Sequence, residues 1–295
     1  MNEIKNVELK SQVKKIKLIG MISIFGFSAI WFIMLFIQIM TNTSLQSRDF
    51  INYIYLTIMC ALGIFTCFHL WSRVPAFEGN QKMQNLFKSM GLTFLPLILI
   101  FTIQLIDYAL KWNGFPTIFG TLNAKIPTLE FYFFNIEKFR TTMPADSILI
   151  FDIVIFALIF YINPMEQYVG KKRWRIYILL ICFFLVLLTP FVVNFTNIWI
   201  ISIMTIFIVL FVLYSFGYLF YLYFNVAIRG IGNMRKGGLL IAFGILFMIL
   251  TWVAGWLLPL LFDLSDILKI AIQYAIGILA VVMFNSGFYI LRPLI

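Results

Sequence analysis

The sequence predicts an all-α integral membrane protein: a polytopic bundle of about eight transmembrane helices with both termini in the cytoplasm. Three observations predict this class: 62% of the 295 residues are hydrophobic, only 12% are charged, and the mean hydropathy is +0.99. Soluble domains are roughly 45–50% apolar and about 25% charged. The chain therefore lacks the polar residues that would cover a water-facing surface, which excludes a soluble enzyme and a disordered chain.

Eight hydrophobic runs approach or exceed the roughly 20 residues that a transmembrane helix needs. The first run is longer than the apolar region of a signal peptide and no small-residue cleavage site follows it, so we expect it to be retained. The sixth run is long enough that it must tilt or protrude. The runs predict a single transmembrane domain over 1–295, with spans at about 18–40, 51–71, 89–110, 147–163, 176–195, 198–224, 238–262 and 267–291.

The positions of the basic residues predict the orientation of these spans, because Lys and Arg are enriched in cytoplasmic loops. With eight spans and a cytoplasmic N-terminus, most of the 22 Lys and Arg residues lie in cytoplasmic segments. The basic residues left outside are Arg48, Lys111, Lys125, Lys138, Arg140 and Lys269. The predicted location is the cell membrane, crossed several times, with the lipid bilayer as the surrounding partner.

The one long loop, 111–146, falls on the predicted outer side and is rich in aromatic residues. After Pro127, which suits the first position of a helix, apolar residues recur at helical spacing: Leu129, Tyr132, Phe133, Ile136 and Phe139. This spacing predicts an amphipathic helix lying on the outer surface.

Two features predict how the spans bend and pack. Proline inside a helix removes a backbone hydrogen bond, so Pro96, Pro190 and Pro259 are expected to kink the third, fifth and seventh spans. Small residues let a neighbouring helix approach closely, and the last span contains Ala271, Ala275, Gly277 and Ala280.

Ionisable side chains inside a bilayer are costly, so each one is a candidate functional residue. Asp107 and Asp152 are predicted at similar depth near the outer ends of the third and fourth spans, with Gln104 one turn below Asp107. Such a group could bind a cation, a proton or a ligand amine. Alternatively, both carboxylates are structural: Asp107 can pair with Lys111 four residues later, and Asp152 with Arg140.

A second polar group is predicted towards the cytoplasmic side. Tyr214 and Tyr218 lie on one face of the sixth span, and Asn285 lies at a comparable depth in the eighth. These residues could line an inner polar cavity. Alternatively, the tyrosines belong to an aromatic belt at the membrane surface and pack with satisfied hydroxyl groups. His69 is expected at the membrane interface, near the inner end of the second span.

The sequence predicts no catalytic residues, no metal site and no cofactor. The single His lacks metal-binding partners, no G-x-S-x-G motif is present, and Cys60, Cys67 and Cys182 lie in apolar runs. We therefore expect a protein that is not an enzyme, and no nucleic-acid partner.

The predicted function is that of a sensor-like or signal-relaying membrane module acting with a membrane or cytoplasmic protein partner. Two alternatives remain at this point. One is a small transporter or ion-coupled carrier that uses Asp107 and Asp152, and the other is a structural subunit of a membrane complex.

Overall fold

The computed structural model describes most of the chain. Its residues fall into two compact units: Met1–Thr43 with Gly63–Val212, and Ser44–Leu62 with Leu213–Ile295. We call these unit 1 and unit 2. The described residues are 2–41, 47–118, 120, 129–132, 140–143, 153–163, 166, 174–192, 198–261 and 265–291.

The chain is helical over nearly all of the described residues. A 3-10 turn at Val74–Phe77 follows the second helix. The helices are α1 (Asn2–Thr41), α2 (Ser47–Trp71), α3 (Gln81–Leu92), α4 (Phe94–Trp112), α5 (Ile153–Asn163), α6 (Trp174–Val192), α7 (Ile198–Arg229), α8 (Asn233–Leu261) and α9 (Asp266–Ile290).

Within the described residues, six segments are long and apolar enough to cross a membrane, as in a multi-pass membrane protein. They correspond to the first, second, third, sixth, seventh and eighth predicted spans. The shorter apolar helices Ile153–Asn163 and Arg175–Leu185 coincide with the fourth and fifth. The six segments are Glu8–Thr41, Asp49–Phe77, Gln81–Trp112, Leu210–Arg229, Asn233–Thr251 and Ile267–Ile290.

Near the start of the third predicted span, at Thr93, the helix is interrupted between α3 and α4. The backbone amide and the hydroxyl group of Thr93 both donate to the carbonyl of Ser89, each at 3.0 Å. Pro96 follows in the first turn of α4. Backbone N–H groups in the first turn have no acceptor within the helix, so a proline there removes no hydrogen bond from α4. The distortion expected at Pro96 therefore takes the form of an interrupted helix, with the break placed ahead of the proline.

The loop after α4 contains two paired strands, β1 (Leu129–Tyr132) and β2 (Arg140–Met143), in place of a helix. They run antiparallel, with Leu129 opposite Met143 and Tyr132 opposite Arg140. The prediction of an amphipathic helix is therefore wrong at Leu129–Tyr132. Aromatic and β-branched residues favour extended backbone, and both kinds occur in these strands. The remaining residues of that predicted helix, Phe133, Ile136 and Phe139, lie outside the described residues, as does Pro127.

In unit 2, α8 and α9 approach closely through small residues. A Cβ atom at Gly244 of α8 would lie 2.8 Å from the backbone nitrogen of Phe284 and 2.9 Å from the carbonyl oxygen of Ala280. A Cβ atom at Gly237 would lie 2.9 Å from the carbonyl oxygen of Gly287. These contacts leave no room for a side chain between the two backbones.

The small residues of the last span divide between buried and exposed positions. Ala280 is fully buried, and a Cβ atom at Gly277 would lie 2.9 Å from the Tyr55 hydroxyl oxygen and 3.3 Å from Thr251 Cγ2. The predicted close approach is thus confirmed at Gly277 and Ala280. Ala275 is exposed and Ala271 is half-buried, so the four residues do not form one continuous packing surface.

Candidate functional site

Asp107 lies near the end of α4, within the third predicted span, and is buried. Its Oδ1 atom accepts a hydrogen bond of 2.8 Å from the backbone amide of Ile118, in the segment that follows the helix. A carboxylate that holds a backbone amide is a charge-assisted contact of the kind that orders loops. In this arrangement Asp107 anchors the chain after α4 back onto the helix.

Of the two carboxylates predicted to form an outer pair, the structure describes only that of Asp107. Gln104 is half-buried on α4, one turn before Asp107. Asp152 lies outside the described residues, and so does the proposed ligand site that it would form with Asp107. The role of the pair as an ion or ligand site remains a prediction.

Replacing Asp107 with alanine should release the segment around Ile118. The expected cost is about 1.5–3 kcal/mol for a hydrogen bond to a charged group, concentrated in the 113–120 segment. Hydrogen exchange measured by mass spectrometry should become faster in the peptide that contains Ile118. Asp107→Asn retains an acceptor oxygen in the same place and should exchange nearly as slowly as the native chain. Equal acceleration in both variants would contradict the anchoring role.

The three residues proposed for an inner polar cavity lie in different environments. Tyr214 is 44% exposed, whereas Tyr218 and Asn285 are each 7% exposed. Asn285 Nδ2 donates to the carbonyl of Val281 on its own helix, at 3.0 Å. An enclosed cavity therefore cannot include Tyr214. Tyr214 and Tyr218 are one helical turn apart on the same side of α7, so their different exposure reflects how neighbouring residues cover each position.

A polar and aromatic cluster in unit 2 was not predicted from the sequence. The Tyr274 hydroxyl group donates to Asn52 Oδ1 at 2.6 Å, and the ring of Tyr274 stacks on Tyr55 with 3.7 Å between centroids and 4° between planes. Gly277 makes room for the Tyr55 hydroxyl group. We call Asn52, Tyr55 and Tyr274 the tyrosine cluster. The only sequence signal is a spacing of three positions, between Asn52 and Tyr55 on α2 and between Tyr274 and Gly277 on α9.

Tyr274→Phe should lower the free energy of unfolding by about 0.5–1.5 kcal/mol, because it removes the hydrogen bond to Asn52 and keeps the stacked ring. Thermal unfolding in mild detergent would measure the change. Tyr177→Phe is the matched control, since Tyr177 is an exposed tyrosine of α6, and it should be neutral. Equal shifts in the two variants would contradict a stabilising role for the Tyr274–Asn52 contact.

At the other end of α2, polar residues of unit 1 surround His69. A terminal nitrogen of the buried Arg73 lies 3.2 Å from His69 Nε2, and the Ser72 hydroxyl group donates to the His69 carbonyl at 2.8 Å. Because guanidinium only donates, His69 is the acceptor. Trp71 Nε1 donates to the Lys88 carbonyl at 3.2 Å and so holds α3 against the end of α2. We call His69 and Arg73 the basic pair.

A buried ion pair connects Glu166 with Arg175 in unit 1. Arg175 Nη1 lies 2.7 Å from Glu166 Oε1, and the Glu166 side chain is fully buried while that of Arg175 is 11% exposed. Glu166 Oε2 has no hydrogen-bond partner among the described residues. Glu166 lies between the fourth and fifth predicted spans, where no local pattern of residues distinguishes a buried carboxylate from a solvated one.

The described residues offer no site for a metal ion: no three His, Cys, Asp or Glu side chains come together within them. Cys60, Cys67 and Cys182 are free thiols and buried. No protein-family model, curated protein or solved structure matches the chain.

Proposed function

We propose that the protein is a multi-pass membrane module that senses a ligand or relays a signal together with a partner protein, and that it is not an enzyme. The observation that supports this function best is α2, a single helix of 25 residues. Near its start it contributes Asn52 and Tyr55 to the tyrosine cluster, and its last turn contains His69, whose partner Arg73 follows two residues after the helix ends.

An uninterrupted helix transmits a displacement along its length because its backbone hydrogen bonds resist bending. At 1.5 Å per residue α2 is about 37 Å long, which is more than the roughly 30 Å hydrocarbon core of a bilayer. α2 is therefore long enough to reach from one side of the membrane to the other.

The proposal includes eight crossings of the cell membrane, with both termini in the cytoplasm. α5 and α6 are the fourth and fifth crossings in this topology, and the distribution of Lys and Arg supports it. The tyrosine cluster then lies at the outer side and the basic pair at the inner side. Asn52 lies five residues after the start of α2, and Tyr274 lies eight residues after the start of α9. Both helices start on the outer side in this topology, so the two residues are expected at similar depth.

A carrier is the second candidate, because Asp107 is a buried carboxylate within a span. Its hydrogen bond to the Ile118 amide favours a structural role over ion binding. The third candidate, a structural subunit, would be favoured by an outward-facing stripe of Ala271, Ala275 and Gly277. Gly277 instead packs against Tyr55 and Thr251, which makes this candidate weaker.

Purification of the full chain in mild detergent, followed by mass spectrometry, tests the proposed function. We expect one partner protein at a fixed ratio to the chain, and a smaller yield of it from Asn52→Ala/Tyr274→Phe than from Tyr177→Phe. A chain that purifies without a partner and moves cations into proteoliposomes, with transport lost in Asp107→Asn, would establish the carrier instead.

A further inference from the structure

The turn between α7 and α8 projects beyond the end of α9. The end of α9 lies level with Gly237, because a Cβ atom there would be 2.6 Å from Leu291 Cγ and 2.9 Å from the Gly287 carbonyl oxygen. Gly232, in the turn just before α8 begins, lies five residues before Gly237, which corresponds to about 7 Å at 1.5 Å per residue. We call residues 228–236 the hairpin tip.

Apolar and basic side chains alternate over the surface of the hairpin tip. Ile231, at the apex, is 91% exposed, and Ile228 and Met234 on either side are each more than half exposed. The three basic residues Arg229, Arg235 and Lys236 are exposed as well. No acidic residue occurs between Ile198 and Leu261 in the sequence, and none of the three basic side chains forms an ion pair within the described residues.

The bilayer does not account for the apex of this surface. Under the proposed topology the hairpin tip is the turn between the sixth and seventh crossings, and Ile231 at its apex lies outside both apolar segments, Leu210–Arg229 and Asn233–Thr251. Single exposed apolar residues are ordinary. Three of them on one projecting turn, bordered only by cations, form a surface that fits a protein with complementary charge.

Backbone hydrogen bonds are made at the helix ends on both sides of the hairpin tip. The Gly230 amide donates to the Val226 carbonyl at 2.9 Å, and the Lys236 amide donates to the Gly232 carbonyl at 3.1 Å. Gly232 adopts a positive φ of 60° that closes the turn. Just behind the turn, α7 and α8 are in contact, with a Cβ atom at Gly238 only 3.0 Å from that of Ala227. These contacts bring the ends of α7 and α8 together, so that Ile231 lies on a short turn between two glycines.

We propose that the hairpin tip is the docking site for the partner protein, and that the partner presents an apolar pocket bordered by Asp and Glu carboxylates. Ile231 fills the pocket as the anchor, and Arg229, Arg235 and Lys236 steer the encounter by charge. This inference rests on the proposed function, which requires a partner. Under the proposed topology the tip faces the cytoplasm.

Photo-crosslinking from the apex in intact membranes tests the docking site. Benzoylphenylalanine placed at position 231 of the full chain should form an adduct with one protein, through a peptide that contains Asp or Glu beside apolar residues. Arg235→Glu/Lys236→Glu should reduce the adduct yield about tenfold or more. The same probe at Leu210, an exposed position within the apolar span, is the control and should react with lipid.

The outcomes separate the docking site from the proposed function. An adduct with lipid or with a second copy of the chain, a yield unchanged by charge reversal, or no adduct at all would overturn the docking site. If a partner protein still co-purifies with the chain in any of these cases, the proposed function stands and docking occurs elsewhere. If no partner is found by either method, both proposals fail. Unfolding temperatures of the variants within a few degrees of the native chain show that folding is intact.

Discussion

Replacing Glu166 with alanine should lower the free energy of unfolding by about 3–5 kcal/mol, the range expected when one member of a buried ion pair is removed. Glu166 is fully buried and its Oε1 lies 2.7 Å from Arg175 Nη1. Without the carboxylate, the guanidinium group of Arg175 remains almost wholly buried beside a cavity and keeps its positive charge. Denaturant unfolding of the purified chain in detergent, followed by circular dichroism, would measure the loss.

The double variant Glu166→Leu/Arg175→Leu is the control for this prediction. Replacing both charges with apolar side chains removes the desolvation cost together with the attraction. We therefore expect the double variant to be more stable than Glu166→Ala. A loss below about 1 kcal/mol in Glu166→Ala would contradict the predicted cost of leaving Arg175 unpaired, and a double variant less stable than the single one would show that the uncompensated charge is not the cause of the loss.

Gly244→Leu should have the second large effect, and we expect it to prevent the native packing of α8 against α9. The Cβ atom alone would lie 2.8 Å from the Phe284 nitrogen and 2.9 Å from the Ala280 carbonyl oxygen. Both of these are backbone atoms, which cannot move aside as the end of a flexible side chain can. Overpacking of a well-packed interior costs about 1–3 kcal/mol or more, and a leucine here requires the two helices to separate.

Gly217→Leu provides the matched control, because Gly217 is an exposed helical glycine of α7 with nothing within 4 Å of an added Cβ atom. At such a site leucine gains helix propensity of several tenths of a kcal/mol. Unfolding temperature and the fraction of monodisperse protein on size-exclusion chromatography would compare the variants. Equal behaviour of Gly244→Leu and Gly217→Leu would contradict the close packing of α8 on α9.

The helices were largely predictable because the bilayer sets the length of each apolar run. The second run was predicted at 51–71 and the helix spans Ser47–Trp71; the last was predicted at 267–291 and the helix spans Asp266–Ile290. The break before α4 followed from the chemistry of proline. The strands at Leu129–Tyr132 and Arg140–Met143 were missed, since helical spacing of apolar residues over a short segment does not exclude a paired strand.

The candidate site was less predictable, because it depends on contacts between distant residues. Asp107 was correctly placed within an apolar helix, but it accepts a hydrogen bond from the backbone amide of Ile118, which no residue type marks in the sequence. Tyr274 and Asn52 are 222 positions apart. Tyr214 and Tyr218 were placed together by helical spacing alone, and neighbouring helices cover only the second.

The proposed topology depends most on whether α5 and α6 cross the membrane. Cysteines introduced singly at Asn113, Lys172 and Met234 would test this with a membrane-impermeant maleimide, since the native thiols Cys60, Cys67 and Cys182 are buried. Eight crossings predict that N113C reacts in intact cells, whereas K172C and M234C react only after permeabilisation. If K172C reacts from outside together with N113C, α5 and α6 do not span the bilayer and the eight-crossing topology is wrong.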